Sequence, residues 1–261
     1  MKSTSLFFIA GSIALAGLSF SFCNGKATKK TTTTPMGNGF AVVELFTSEG
    51  CSSCPPADEA MIRLAKEFPE HVYFLGYHVD YWDYLGWKDE FSNADYTERQ
   101  QKYSKVFGSD NIYTPQAIVN GEKELVGSRE GELKSIIQQD LKNTASSPAN
   151  PVVIGLTAKK TAGENISVSY KVTNAGKVSL DIALVQLMAT SNVKRGENEG
   201  HTLNHINIVR GFKTIPVNKE SNGTVDIKIP AGLAAKDLKV IAFVQDERYL
   251  KIAGAAEAII N

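Results

Sequence analysis

Cys51 and Cys54 are the residues of this 261-residue chain whose type and spacing most directly offer chemistry. Two thiols separated by Ser52-Ser53 can pass between dithiol and disulfide, and the thiolate is both a nucleophile and a metal ligand. The residues that follow narrow the choice. Pro55 and Pro56 suit only a first helical turn, where backbone donors are orphaned anyway. Both thiols therefore belong at a helix N-terminus, where free amides and the macrodipole favour a thiolate. A zinc half-site would need about four ligands, and no second Cys pair exists. An inert disulfide would close a very small loop and gain little from it. A redox dithiol is the leading reading.

The elements that must hold the pair can be read on either side of it. Val42, Val43, Leu45 and Phe46 form an apolar run suited to a buried strand. Gly50 then allows a tight turn. Ala57 to Phe68 carries apolar residues at helical spacing, and Val72 to Val79 reads as a second buried strand. Strand, helix, strand at this length is a right-handed crossover with a parallel pair. Sites in such sheets lie beyond the carboxyl ends of the strands. That rule puts His78, Asp80, Trp82 and Asp83 on the same edge as Cys51. His78 is either a site group or a satisfied strand histidine, and Trp82 and Trp87 either flank a groove or pack on their own domain. Ser92 to Phe107 reads as a helix. A strand starts at Pro115 and ends in the Asn120-Gly121 turn, a strong hairpin signal. Glu124 to Gly127 is the returning strand, and Arg129 to Leu141 a closing helix.

Thr144 to Pro151 is a linker by composition. Beyond it, alternating segments separated by Gly, Asn and Pro turns predict an all-β, immunoglobulin-like sandwich over residues 151–261. Its strands are expected at Val152–Ala158, Ile166–Val172, Ser179–Met188, His205–Val217, Thr224–Ile229 and Leu238–Gln245. Residues 36–150 carry 10 Lys/Arg against 18 Asp/Glu, and residues 151–261 carry 14 against 10. Opposite signs suit docking of the two halves and argue against a nucleic-acid partner. The second half has no Cys, and its His201 and His205 lie in a loop-to-strand stretch rather than on a helix. It is expected to dock without carrying the chemistry.

At the N-terminus, residues 1–23 read as an export signal: one lysine, then a short apolar run from Leu6 to Phe20. Residues 24–39 lack apolar groups to bury and read as a tether. Cys23 resembles the lipidated cysteine of a bacterial lipoprotein signal. Phe22 departs from the small residue expected before it, so secretion and an uncleaved anchor stay open.

Residues 40–143 resemble an α/β thioredoxin-like domain, with Thr114-Pro115 falling where that fold places a cis-proline against the Cys pair. More specifically, the chain is similar to the exported bacterial proteins of domain-of-unknown-function family 1223. The marks are Glu44-Leu45-Phe46-Thr47-Ser48, Cys51 through Asp58, Val79-Asp80-Tyr81-Trp82-Asp83, Gly86-Trp87-Lys88-Asp89 and Tyr113-Thr114-Pro115-Gln116. Gly196-Glu197-Asn198 and His205 through Arg210 look like a second-half signature. The resemblance implies that Cys51 attacks, Cys54 resolves and Pro115 presents backbone to substrate. Thr114, His78, Asp80, Trp82, Asp83 and Trp87 are the candidate substrate contacts. The buried acid of thioredoxins falls at Leu45 here. Glu44 is one position earlier, and strand alternation points it to the other face.

The expected function is a thiol–disulfide oxidoreductase of the periplasm or cell envelope, lipid-anchored or secreted. It needs no cofactor and no resident metal. Its partners would be disulfide-containing exported proteins or a membrane electron donor. A non-enzymatic envelope binding protein is the second reading. Soft-metal handling by the two thiolates with His78, copper above all, is the third.

Overall fold

The computed structural model of the chain describes Met1, residues 39–142 and residues 151–261. The expected export signal, Cys23, nearly all of the tether and most of the linker lie outside the described residues.

The first half begins as its apolar runs require. Strand β1 (Ala41–Thr47) leads through a tight turn to helix α1 (Pro55–Glu67) and strand β2 (Val72–His78). β1 and β2 are parallel, with Ala41 opposite Val72 and Thr47 opposite His78. Helix α2 (Ala94–Phe107) follows, capped by the Asn93 side chain. Strands β3 (Gln116–Val119) and β4 (Lys123–Val126) form the hairpin at Asn120-Gly121, and helix α3 (Glu130–Lys142) closes the half. β3 runs antiparallel to β1.

Alternation along the strands sorts the side chains onto two faces. Val43 and Leu45 of β1 pack with Ala57, Met61 and Leu64 of α1 and Leu133 and Ile137 of α3. Val42 and Phe46 point the other way and pack with Tyr96 and Tyr103 of α2. Thr47 and His78 belong to the α1 face by register, whereas Glu44 belongs to the α2 face.

The second half overturns the expected architecture. Strands β5 (Val153–Lys160), β6 (Asn165–Thr173) and β9 (Glu220–Lys228) form a three-stranded sheet. The long strands β7 (Val178–Asn192) and β8 (Thr202–Val217), with β10 (Leu238–Gln245) and β11 (Ile252–Ile259), instead continue the sheet of the first half. The result is one mixed sheet of eight strands in the order β11-β10-β7-β8-β2-β1-β3-β4. Among the described residues the protein is thus mostly β with three α-helices, not an α/β thioredoxin-like domain followed by a separate immunoglobulin-like sandwich.

The physical reason lies at the seam. β2 meets β8 in parallel at Gly76 and Ile208. A side-chain carbon on Gly76 would stand 3.4 Å from the Ile206 carbonyl, so glycine lets the two backbones approach. The core is continuous across this seam: Tyr73, Leu75 and Tyr77 of β2 pack with Val185 of β7, Val209 of β8 and Phe243 of β10. Local alternation predicts a strand but not its neighbour, and the sheet that forms is the one that buries the β2 edge. β11 was not expected at all. Its Ile-Ala-Gly-Ala-Ala-Glu-Ala-Ile sequence carries few of the β-branched and aromatic residues that mark strands.

Candidate active site

Two close approaches set the backbone around the thiols. Gly50 carries no side chain where a carbon would lie 2.9 Å from Trp82 Cβ, so the turn after β1 tucks under the Trp82 loop. A side-chain carbon on Gly127 would lie 2.6 Å from Leu45 Cδ1 and 3.2 Å from Ala57 Cβ, so the β4 end presses against α1 beside Pro115. Cys54 is the N-cap of α1, and prolines occupy the first helical positions. The Thr114–Pro115 bond is cis.

Both cysteines are free thiols, and they are not equivalent. Cys51 Sγ lies 3.2 Å from Ser53 Oγ and donates at 3.8 Å to the Thr114 carbonyl. A hydrogen bond from Cys54, helped by Ser53 and Thr114 and opposed by burial, lowers the Cys51 thiol to about 6. Burial pushes the Cys54 thiol well above the ordinary thiol range, reinforced by the Cys51 and Asp58 charges. One thiol is acidic and the other holds its proton. Cys51 is 1% exposed and Cys54 fully buried, while Ser52 and Ser53 between them face solvent.

The second half covers the pair and reaches into it. Glu197 Oε2 accepts from the Ser52 amide at 3.0 Å and from its hydroxyl at 2.7 Å, and these bonds hold the carboxylate below its ordinary range. Buried Asn198 donates to the carbonyls of Glu49 at 2.8 Å and Cys51 at 2.9 Å. His205 of β8, 1% exposed, stands between two carboxylates. Its Nε2 lies 3.4 Å from Glu49 Oε1 and its Nδ1 lies 3.5 Å from Asp58 Oδ1. These are ion-pair distances without aligned hydrogen bonds. Burial alone would depress the imidazole, yet Asp58 and Glu49 outweigh it and raise His205 to about 10. Residues of the second half thus pack around the turn that carries the thiols, while both thiols come from the first half.

The predicted contacts divide. Trp82 donates its indole N–H to Thr114 Oγ1 at 2.8 Å, beside the thiols. Trp87 donates to Glu49 Oε2 at 2.7 Å, behind them. His78 pairs with Asp89 at 2.6 Å and packs edge-on against His205, ring centroids 4.8 Å apart. Against the effect of burial, the His78 charge lowers the Asp89 carboxyl. Asp80 accepts from Thr97 of α2 at 2.6 Å. Asp83 accepts from Ser92 at 2.8 Å and braces the aromatic loop. Glu44 lies on the opposite face, gripped by Arg99 through Nε at 2.5 Å and Nη2 at 3.1 Å.

Sequence reasoning gave no role to Glu49, Asp58, Asp89, Glu197, Asn198 or His205. Asp58 carried a usable signal, since it stands four residues after Cys54 on the same helix and so shares its face. The second-half residues were visible only as a motif without a place. Among the described residues, no group of three His, Cys, Asp or Glu side chains is arranged to hold a metal ion.

Fold and site together define a mixed β protein with an asymmetric buried dithiol at a helix N-terminus. The chain belongs to the family described as "Protein of unknown function (DUF1223)", matched over residues 42–245. It is similar to the crystal structure of protein AGR_C_4864 from Agrobacterium tumefaciens: 29% identity, TM-score 0.63, covering 83% of this chain and 92% of that one. A domain of the outer membrane lipoprotein Omp28 from Porphyromonas gingivalis is far less alike, at 15% identity and TM-score 0.27, covering 44% of this chain and 93% of that one. No curated protein matches the chain.

Proposed function

We propose that this chain is a thiol–disulfide oxidoreductase acting on disulfides of exported proteins. The observation that carries the reading is the asymmetry of the pair, with Cys51 acidic at about 6 and Cys54 held protonated. A thiol of that acidity is largely thiolate at neutral pH and ready to attack. Cys51 Sγ attacks one sulfur of a substrate disulfide, forming a mixed disulfide and expelling the first substrate thiolate. Cys54 then attacks Cys51 Sγ, the second substrate thiolate leaves, and a Cys51–Cys54 disulfide remains. Two electrons pass from the cysteines to the substrate, and the Cys54 proton with one proton from solvent end on the two substrate thiols. The Thr114 carbonyl, already within reach of Cys51 Sγ, and Pro115 supply backbone against which an extended substrate segment can lie.

The proposed envelope location rests on the N-terminal apolar run read as an export signal, with Cys23 as a candidate lipid attachment site. The burial of Cys51 favours the second reading, a binding protein whose thiols stay reduced and unused. Thiol titration across a series of redox buffers separates the two. A reversible two-electron transition involving Cys51 and Cys54 supports the oxidoreductase, and thiols that stay reduced throughout sink it. Cys54→Ala should then trap substrates on Cys51 as mixed disulfides in cells.

A further inference from the structure

Building on the oxidoreductase reading, we propose that Asp58 accepts the Cys54 proton during disulfide formation and that His205 is the residue that positions Asp58 for it. The resolving thiol is buried and must lose a proton before it can attack. A proton acceptor inside the protein is therefore needed, and the surroundings name one.

Asp58 stands one turn after Cys54 in α1, and its amide donates to the Cys54 carbonyl at 3.1 Å. Helical side chains lean toward the N-terminus, so a residue at this spacing lies over the one four before it. Asp58 is 7% exposed. Its Oδ2 accepts from Thr47 at 3.2 Å and its Oδ1 faces His205 Nδ1 at 3.5 Å. The Asp58 charge reaches Cys54, since it opposes thiolate formation there.

The other buried acids are engaged elsewhere. Glu49 Oε2 is held by Trp87 and its Oε1 faces His205. Asp89 is held by His78 and by the amides of Glu49 and Phe91. Glu44 is on the far face. The groups that face His205 are Glu49 from the turn after β1, Asp58 from α1 and His78 from β2, with Asp89 behind His78. Phe91 packs on its ring with centroids 5.8 Å apart, and Arg210 sits over the Phe91 ring at 4.8 Å. Neither nitrogen of His205 has an aligned hydrogen-bond partner, so the ring is held between its two carboxylates by charge.

The step balances on these residues. Starting from the Cys51 mixed disulfide, the Cys54 S–H proton passes to the Asp58 carboxylate. The sulfur electron pair left behind forms the bond to Cys51 Sγ. The bond between Cys51 Sγ and the substrate sulfur breaks, and the leaving thiolate takes its electron pair and then the proton from Asp58. The oxidant is the substrate disulfide, and its products are two thiols.

The test uses the reduced full chain and dithionitrobenzoate, an aromatic disulfide that releases a coloured thiolate at each step. Attack by Cys51 gives a first burst, and resolution by Cys54 gives a second. In Asp58→Asn the first burst is expected to keep its rate. The second should fall about 100-fold at neutral pH, the low end of what a positioned base supplies, and should rise in proportion to hydroxide because Cys54 must then ionise unaided. Asp58→Glu should restore part of the rate. His205→Gln, which keeps the carboxylate, should move the pH midpoint of the second burst without touching the first. A second burst with wild-type rate and pH profile in Asp58→Asn, or in His205→Gln should the first variant not fold, overturns the assignment. A wild-type chain that gives one burst only overturns the oxidoreductase reading itself, a different result.

Discussion

The side-chain amide of Asn198 donates to the backbone carbonyl of Cys51 at 2.9 Å, joining the reactive turn of the first half to a loop of the second. The same amide reaches the Glu49 carbonyl at 2.8 Å, so one buried nitrogen ties down both ends of the turn. Asn198→Ala should leave two carbonyls without that donor. An unsatisfied buried polar group costs about 1–3 kcal/mol, and the variant should lose roughly 2 kcal/mol or more of stability by urea unfolding. Its Cys51 alkylation should also speed up, because the turn is freed. Unchanged stability and alkylation rate would show that the clamp does not hold the turn.

Cys51 should titrate early. Its thiol lies at about 6, and alkylation requires the thiolate. In Cys54→Ser, a serine hydroxyl can still donate toward Cys51, so the midpoint of iodoacetamide labelling should stay near that value. In Cys54→Ala the hydrogen bond that contributes most is gone, and the midpoint should move up toward the ordinary thiol range. Equal midpoints in the two variants would remove Cys54 as the cause.

Much of the site was open to reading from local sequence, and the rest was hidden for a physical reason. The Cys pair, the prolines that start α1, and the Asn-Gly turn are short-range signals, and each expected element lies within a few residues of its expected bounds, β11 being the strand without one. Strand alternation also placed Glu44 away from the thiols correctly. What local pattern cannot carry is which edge a strand finds. The β2–β8 seam joins residues on opposite sides of the linker, and everything that it brings to the thiols, His205 above all, came with it. Asp58 was within reach, because its spacing from Cys54 is a local fact. Its partner was not.

On the face opposite the thiols, Glu44 and Asp181 share Arg99, whose guanidinium lies over four aromatic rings including Tyr77 and Phe243. Arg99 links α2 to β1 of the first half and β7 of the second. Arg99→Met should strand two buried carboxylates, and breaking such a pair costs about 3–5 kcal/mol. Chemical unfolding should show that loss. The alkylation midpoint of Cys51 should stay where it is, since the sheet stands between. A shifted midpoint would mean that the two faces are coupled.

His205 makes stability depend on pH in a definite direction. Its folded value of about 10 stands above that of an unfolded histidine, about 6.5. The folded state therefore binds the extra proton across that window, and stability falls as pH rises through it. Below about 6.5 the contribution is complete, and above about 10 it is gone. The thiols oppose this reading in part. Cys51, lowered to about 6, gains stability as pH rises toward the ordinary thiol range, while Cys54, raised, loses it above that range. The comparison therefore belongs in a Cys51→Ser, Cys54→Ser background, with His205 against His205→Gln. With the thiols removed, the His205 chain should lose on the order of a few kcal/mol more than His205→Gln between neutral and alkaline pH. Parallel unfolding curves across that range would mean that His205 is not held as an imidazolium between Glu49 and Asp58.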